Sequence, residues 1–266
     1  KEDYTTVEII EDLCEAEADE EFEYIIPNKK ETNDFVLVDT VKKSRKPRVV
    51  NILKTKYDTT NTYKYEVGVD EAGRGPLFGR VYAGAVVLPS DETLFNHSLM
   101  KDSKKFTSKK KIDEVADYIK QNALAWAVAY EDEKVIDEIN ILQATQLAMH
   151  KAILEVKKQL YNKELLISNS YNSNSNDSNS NDLLLLIDGN YFKPITIMNT
   201  KNNKFETIKF TTVEGGDNKY TSIAAASILA KVERDNYIDD LCQNHIELAE
   251  HYGIDTNKGY GAKKHI

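Results

Sequence analysis

Two adjacent carboxylates, Asp70 and Glu71, follow a short apolar run and lead at once into a glycine-rich turn. Like charges side by side repel each other, so in a partly dry site they are tolerated only when a cation joins them. A solvated turn after a strand is the alternative reading of such an acidic pair. However, Gly73 and Gly75 permit close approach to the backbone, and the guanidinium of Arg74 between them suits phosphate. The stretch therefore predicts metal-binding carboxylates beside donors for a nucleic-acid backbone.

Two further aspartates stand where elements end or begin. Asp188 follows the apolar run 183–187 and precedes a glycine, and Asp217 follows two glycines near the start of a helical pattern. Alone, the first position is more often a turn and the second is as often a helix cap. Carboxylates are the ligands that Mg²⁺ and Mn²⁺ prefer. If the fold brought all four acids together, they would suit a pair of cations that hydrolyses a phosphodiester.

The chain around these acids alternates between strand and helix patterns. Strands are predicted at 65–69, 82–88, 124–130, 183–187 and 207–213, and helices at 108–122, at 133–161 as one broken or two consecutive helices, and at 220–241. A serine cap opens the first helix. The fully apolar run 183–187 predicts a strand buried on both faces. This order predicts an α/β fold with a central mixed sheet.

Composition fits a folded protein with an unusual N-terminal part. The 266 residues, 41% of them hydrophobic, suffice for one large domain or two small ones. The net charge is −9, but eleven acidic residues fall within 1–26, so the rest of the chain is nearly neutral. We expect 1–62 to be a partly disordered extension, with a nucleic-acid-binding arm or a nuclear address around 42–48 as alternatives. Residues 63–266 would form the remaining domain.

Three other features indicate the setting in which the chain works. Residues 168–182 hold six Asn and six Ser, which predicts a low-complexity loop without a catalytic role. Cys14 and Cys242 are isolated, which fits a reducing compartment better than a disulfide framework. No apolar run approaches the roughly 18 residues that a membrane span needs, and the N-terminus is acidic. We expect an intracellular protein, cytoplasmic or nuclear and not secreted, with no membrane partner.

The motif Asp70 to Leu77, followed by the small and β-branched run 83–88, resembles the opening motif of ribonuclease HII, the type 2 ribonuclease H family. The similarity continues in order through Asp102-Ser103-Lys104-Lys105, Ile139-Asn140-Ile141-Leu142-Gln143-Ala144-Thr145, Ile187-Asp188-Gly189-Asn190, Gly216-Asp217, the run 222–232, and Lys258-Gly259-Tyr260-Gly261. The seven blocks cover roughly residues 66 to 262, so the resemblance spans most of the chain.

The resemblance implies an α/β, ribonuclease H-like fold with a central mixed β-sheet flanked by helices. It implies that Asp70, Glu71, Asp188 and Asp217 are the catalytic, metal-binding carboxylates. Their cofactor would be Mg²⁺ or Mn²⁺, with two ions expected when substrate is bound. Asp235 is a rival acid, but its place inside a predicted helix suits a salt bridge or a buried contact better.

The family also implies how the substrate is recognised. Its Gly-Arg-Gly backbone, here Gly73, Arg74 and Gly75, senses the ribose 2′-hydroxyl that DNA lacks. A tyrosine matched by Tyr260 stacks on the following deoxyribose, and Ser103 and Lys104 match phosphate contacts. The expected partners are RNA-DNA hybrid and ribonucleotide-containing duplex DNA. The expected activity is hydrolysis of the RNA strand and nicking 5′ to single ribonucleotides, leaving 3′-hydroxyl and 5′-phosphate ends, for ribonucleotide and primer removal in replication and repair.

Several positions depart from the family pattern. Phe78 replaces a small residue and Arg80 replaces a proline. We expect these changes to alter the entry of the next strand or to add a phosphate contact. Gly215 stands where the family usually has a lysine. The long interval between Asp188 and Asp217 predicts an extra hairpin. The sequence stops at Ile266, soon after the tyrosine motif, and we expect a C-terminal helix to be missing.

We also expect the protein to be monomeric. Three alternative functions differ from the expected ribonuclease activity. A hybrid-binding module that has lost catalysis is disfavoured because all four acids are present. A ribonuclease HIII-like enzyme is disfavoured because it would be expected to lack Arg74 and to carry Glu at the position of Asp217. A metal nuclease without sugar selectivity remains an alternative if Tyr260 or the glycine turn is misplaced.

Overall fold

The computed structural model describes residues 52–171, 182–199 and 203–263. The predictions for 1–51, which include most of the extension, lie outside these residues, and the domain boundary at residue 62 stays a prediction. Within 52–62, the chain follows the surface of the domain. Lys54 exchanges backbone hydrogen bonds with Lys219 and Thr221, and the N–H groups of Tyr57 and Asp58 donate to the Glu66 carboxylate.

Seven strands are found in the described residues: β1 Tyr65–Ala72, β2 Val81–Val87, β3 Ala125–Glu131, β4 Leu183–Asp188, β5 Thr196–Asn199, β6 Lys204–Thr207 and β7 Lys209–Val213. Five of them form a central sheet in the order β3-β2-β1-β4-β7. Within it, β3, β2 and β1 pair antiparallel, whereas β1, β4 and β7 run parallel. The strands β5 and β6 form a separate antiparallel pair. The mixed sheet is the one predicted, and the extra pair lies in the interval where a hairpin was expected.

Five helices are described: α1 Lys109–Asn122, α2 Glu133–Tyr171, α3 Thr221–Asn244, α4 Ile246–Tyr252 and α5 Ile254–Asn257. The Ser108 hydroxyl accepts from the N–H of Lys111 and caps α1, as predicted. The helix α2 breaks at Asn140, which has a φ of 68° and a ψ of 163°. The Asn140 Oδ1 accepts from the N–H groups of Leu142 and Gln143 at 3.0 and 3.1 Å, so it caps the second segment.

Two apolar layers hold the helices on opposite faces of the sheet. The α2 helix packs on one face, where its Met149, Ile153 and Val156 meet residues such as Val69 and Leu185. The α1 and α3 helices cover the other face. Here α3 lies directly on the strands, because a Cβ on Gly68 would be 2.1 Å from the Ser222 carbonyl carbon and one on Gly84 would be 2.4 Å from the Ala226 oxygen.

Two further observations concern the described helices. The sequence predicts a loop from residue 168, but α2 continues to Tyr171, so the first residues of the Asn/Ser-rich segment extend the helix. The rest of that segment, 172–181, lies outside the described residues. In the ranges that the structure describes, no helix combines the length and the apolar character needed to cross a membrane.

Candidate active site

The parallel strands β1, β4 and β7 all direct their carboxyl ends to one edge of the sheet. Val69 lies opposite Ile187 in the pairing of β1 with β4, so Asp70 and Asp188, one residue further along, end side by side. Val213 pairs with Asp188 at the end of β7, and the turn that carries Asp217 follows directly. In sheets of this kind, ligands bind at the carboxyl ends of the strands.

A pocket of about 430 Å³ opens at this edge. Nine of the ten site residues predicted from the sequence line it: Asp70, Glu71, Gly73, Arg74, Gly75, Ser103, Lys104, Asp188 and Tyr260. The tenth, Asp217, lies outside this lining. It is close enough to Asp188 for the charge of that carboxylate to raise its pKa. Residues that are distant in sequence therefore meet at one concave surface.

Asp70 is the most deeply buried of the four acids, with 5% of its surface exposed. Its Oδ1 accepts from the N–H of Glu71 at 2.7 Å, and Ser227 also hydrogen-bonds to it. Burial raises the pKa of Asp70 well above its usual value, and the charges of Glu71 and Asp188 raise it further. The two hydrogen bonds oppose this rise only in part. In the folded protein, the ionised form of Asp70 is therefore costly unless a cation is nearby.

Glu71 has a cationic neighbour of its own. The Nη1 of Arg74 lies 2.8 Å from the Glu71 Oε1, and half of the Arg74 side chain is exposed. Burial nevertheless raises the pKa of Glu71, and the charge of Asp188 adds to the rise, while Arg74 opposes it. The pair is thus exposed on the arginine side and largely buried on the glutamate side, where 15% of the side chain is exposed. The exposed side of Arg74 faces solvent, where a substrate phosphate can approach it.

The other two acids are held by the turn that follows β7. The N–H of Gly216 donates to the Asp188 Oδ1 at 2.6 Å. Asp217 is 7% exposed, and its pKa is raised by burial and by the charges of Asp102 and Asp188. The amide of Asn218 donates to both Asp217 and Asp102, at 3.1 and 3.2 Å. Asp217 thus makes no helix cap, and it faces the acidic group.

The donor set fits a hard divalent cation. Hard oxygen ligands are crowded here, and burial and mutual repulsion raise three of their pKa values. As the side chains stand, no three His, Cys, Asp or Glu of the described part of the chain form a ready-made cage for an ion. Mg²⁺ usually binds through one or two carboxylates and completes its shell with water and substrate phosphate.

The glycine turn and the tyrosine loop face each other across the pocket. Gly73 has a φ of 108°, which only glycine adopts without strain. A Cβ on Gly75 would lie 3.2 Å from the Tyr260 Cε1, so the ring packs against the turn. The N–H of Leu77 donates to the Gly259 carbonyl at 2.9 Å and joins the two segments. Tyr260 keeps 51% of its surface exposed, so its ring remains accessible from solvent.

The two predicted phosphate contacts differ in their surroundings. Lys104 is exposed at the pocket rim. Ser103 is only 4% exposed, and its hydroxyl lies 3.0 Å from that of Ser227, which in turn contacts Asp70. Ser103 is therefore placed to support Asp70 as much as to meet a phosphate. Ser227 belongs to the run 222–232 that carries the resemblance, but its side chain was not singled out from the sequence.

The structure shows the surroundings of Arg80 and Gly215, two of the positions that depart from the family pattern, and of the rival acid Asp235. Arg80 stacks between the rings of Tyr130 and Tyr237, at 4.4 and 4.3 Å from their centres, so its guanidinium packs against aromatic rings. Asp235 forms the expected salt bridge, with the Lys231 Nζ at 2.7 Å. Gly215, where a lysine is usual, has a φ of 60° in the turn before Asp217.

Comparison with known proteins agrees with these features. The family model described as Ribonuclease HII matches residues 67–266. Ribonuclease HII of Bacteroides thetaiotaomicron is 43% identical over 202 residues, covering 75% of this chain and 80% of that protein. Ribonuclease HII of Phocaeicola vulgatus is 41% identical over 200 residues, with the same coverage of both chains. Among solved structures, the ribonuclease H2 from Pyrococcus horikoshii OT3 has a TM-score of 0.49 at 24% identity and covers 75% of this chain and 82% of that chain. On the sequence matches, this chain belongs to the ribonuclease HII family and is a ribonuclease H, an enzyme that acts on RNA-DNA hybrids.

Proposed function

We propose that the chain is a metal-dependent endoribonuclease that hydrolyses the RNA strand of hybrids and nicks 5′ to single ribonucleotides in duplex DNA. The products would carry 3′-hydroxyl and 5′-phosphate ends, as ribonucleotide and primer removal require. The observation that carries the proposal is that one pocket is lined both by crowded carboxylates and by a glycine turn packed against Tyr260. The first feature suits phosphodiester hydrolysis, and the second suits recognition of the sugar.

Asp70, Glu71 and Asp188 would hold the cations, with Asp217 beside them. When bound, Mg²⁺ or Mn²⁺ would activate a water molecule and neutralise the charge on the scissile phosphate and the departing oxygen. The protein fixes the carboxylates before binding: strand pairing places Asp70 beside Asp188, and the Gly216 N–H orients Asp188. Ser227 and the Glu71 N–H orient Asp70 in the same way.

Sugar recognition would come from the backbone of Gly73, Arg74 and Gly75. A 2′-hydroxyl both donates and accepts a hydrogen bond, and DNA offers neither at that position. The turn lies in the same pocket as the acids, so a ribose held there places its phosphodiester at the carboxylates. Tyr260, next to Gly75 and half exposed, is placed to stack on the following deoxyribose.

Cations at the pocket rim would hold the charged backbone of the duplex. Lys104 is exposed there, and Arg74, which pairs with Glu71, keeps half of its side chain exposed. Neutralising phosphates releases counterions, so binding weakens as salt increases. Because no partner chain is needed to build the pocket from the described residues, we propose that the enzyme acts as a monomer.

Three labelled duplexes test the proposal: one with a single ribonucleotide, one with a full RNA strand and one of DNA only. Each is incubated with Mg²⁺, Mn²⁺ or a chelator. The Asp70→Asn variant serves as the inactive form, and Glu155→Gln, which changes an exposed acid of α2 paired with Lys158, serves as its matched control. We expect metal-dependent nicks 5′ to the ribonucleotide by the wild type and the control, and none by Asp70→Asn.

The alternatives predict different outcomes. Cutting of the DNA-only duplex would remove the sugar-sensing claim and favour a general nuclease. Tight binding of the hybrid without any cutting would favour an inert binding module. Cutting in the chelator at the full rate would overturn metal dependence.

A further inference from the structure

Arg234 is a buried cation that points into the same pocket from α3, with only 3% of its surface exposed. Its Nε donates to the carbonyl of Arg80 at 3.3 Å and its Nη2 donates to the carbonyl of Phe78 at 3.1 Å. Burying a guanidinium is expensive unless its donors are satisfied. Here two of its five donors bind backbone carbonyls at the far end of the glycine turn. Arg234 therefore holds a stretch of chain in place.

The near end of the turn rests on the same side chain. A Cβ on Gly73 would lie 2.8 Å from the Arg234 Nε, 3.0 Å from its Cδ and 2.6 Å from the Arg80 carbonyl oxygen. The Gly73 backbone is thus in direct contact with the guanidinium, and both ends of the segment 73–80 meet on one arginine. Between them, the Leu77 N–H donates to Gly259, so the tyrosine loop holds the middle of the segment.

We propose that Arg234 is a positioning residue for ribose recognition: it clamps residues 73–80 so that the Gly73-Arg74-Gly75 backbone is set at one distance from the substrate 2′-hydroxyl. This inference rests on the proposed function. Arg234 acts through the turn and its two carbonyl contacts, and the groups that meet the sugar are those of the turn. Since a misplacement of about 1 Å can cost on the order of 10²-fold in rate, a loose turn would lose both speed and selectivity.

A double-mutant cycle between Arg234 and the hydroxyl tests the proposal. The substrates are a duplex with one ribonucleotide and the same duplex with a 2′-fluoro group at that position, which keeps the ring but removes the donor. The variants are Arg234→Met, which removes the two donors that bind the carbonyls of Arg80 and Phe78, and Arg234→Lys, which keeps a charge and the capacity to donate. The control is Glu233→Gln, at the position directly before Arg234 on α3. It breaks the 2.7 Å ion pair between Glu233 and Lys120 of α1. For each, kcat/KM on both substrates and the Tm are measured.

For the wild type, we expect the hydroxyl substrate to be preferred by about 100-fold or more, because a site that binds a hydroxyl is left with unpaired groups by its analogue. Arg234→Met should reduce this preference by at least about tenfold, and Arg234→Lys should restore part of it. Glu233→Gln should keep the preference within about twofold, as independent sites do. A loss that is merely structural would lower both rates equally and leave the ratio unchanged.

An unchanged ratio in both Arg234 variants would overturn the inference. If Arg234→Met does not fold, Arg234→Lys alone decides the matter: a reduced preference at an unchanged Tm supports the clamp, and a wild-type ratio refutes it. A wild type without any preference would instead refute the sugar sensing in the proposed function. The two failures are therefore distinguishable.

Discussion

Replacing Asp70 by Asn should make the metal-free protein more stable while abolishing its turnover. Asp70 is 5% exposed, and burial and the charges of Glu71 and Asp188 raise its pKa well above the usual value. An Asn keeps the oxygen that accepts from the Glu71 N–H at 2.7 Å, but it carries no charge. The substitution therefore removes desolvation and repulsion and preserves the local hydrogen bond.

The size of the effect follows from the buried charge. Leaving a buried polar or charged group uncompensated costs about 2 kcal/mol, so the variant should gain about that much in chelator. For a domain of this size, this corresponds to a Tm increase of about 4–8 °C. With free metal about 100-fold above its Kd, the wild type should gain about 2.7 kcal/mol by binding, which reverses the order of the two proteins.

Differential scanning calorimetry of both proteins, in chelator and in Mg²⁺, measures this reversal. Glu155→Gln, an exposed acid in an ion pair with Lys158 on α2, should behave as the wild type in both buffers. A lower Tm of Asp70→Asn in chelator would refute the crowded-acid reasoning. An equal response of the wild type and Asp70→Asn to Mg²⁺ would show that Asp70 takes no part in binding the ion.

Three further results are expected. The Tm advantage of Asp70→Asn in chelator, followed by calorimetry, should shrink as the pH falls towards the ordinary aspartate pKa of 3.8. The raised pKa of Asp70 means that the folded state takes up the proton first, and the penalty disappears on protonation. An advantage that grows in acid would contradict this sign. Tyr260→Ala should lower kcat/KM at a single ribonucleotide about tenfold or more, because a stacking contact is lost. The Tm should not change, because 51% of the Tyr260 surface is exposed. Full activity of the variant in a nicking assay would count against stacking. Arg80→Gln should lower the free energy of unfolding, measured in urea, by about 1–2 kcal/mol, because the contacts with the rings of Tyr130 and Tyr237 are lost. The dependence of hybrid affinity on salt concentration should stay the same. A weaker salt dependence would instead make Arg80 a phosphate contact.

Local sequence signals predicted the elements that carry the site. The apolar run before Asp188 became β4, which is buried on both faces, and the serine at position 108 caps α1. The long interval after Asp188 holds the β5-β6 pair. The strand and the cap needed only periodicity and a capping residue, which act over a few residues, whereas the hairpin was expected because the interval is longer than is usual in the family.

The positions that sequence reasoning missed depend on how α3 crosses the sheet. Ser227 reaches Ser103 across a separation of 124 residues, and Arg234 reaches Arg80 across 154. Both contacts exist because α3 lies directly on the backbones of β1 and β2, at Gly68 and Gly84. Nothing in the spacing of a serine or an arginine along a helix states which strand it will meet, so these roles required coordinates.

The break in α2 was also predicted only in outline. Apolar periodicity from residue 133 predicted one broken or two consecutive helices but gave no position for the break. Asn140 supplies it because an asparagine tolerates a positive φ and its side chain caps the segment that follows. For Ser103, the match to a phosphate contact gave no sign that its hydroxyl is also largely buried against Ser227.

Crystals of the protein soaked in Mn²⁺, measured at the manganese absorption edge, test the central claim most directly. The account predicts anomalous density bounded by Asp70, Glu71 and Asp188 in the wild type, and its loss in Asp70→Asn. Manganese bound only elsewhere on the chain, or density at this edge that persists in Asp70→Asn, would contradict it.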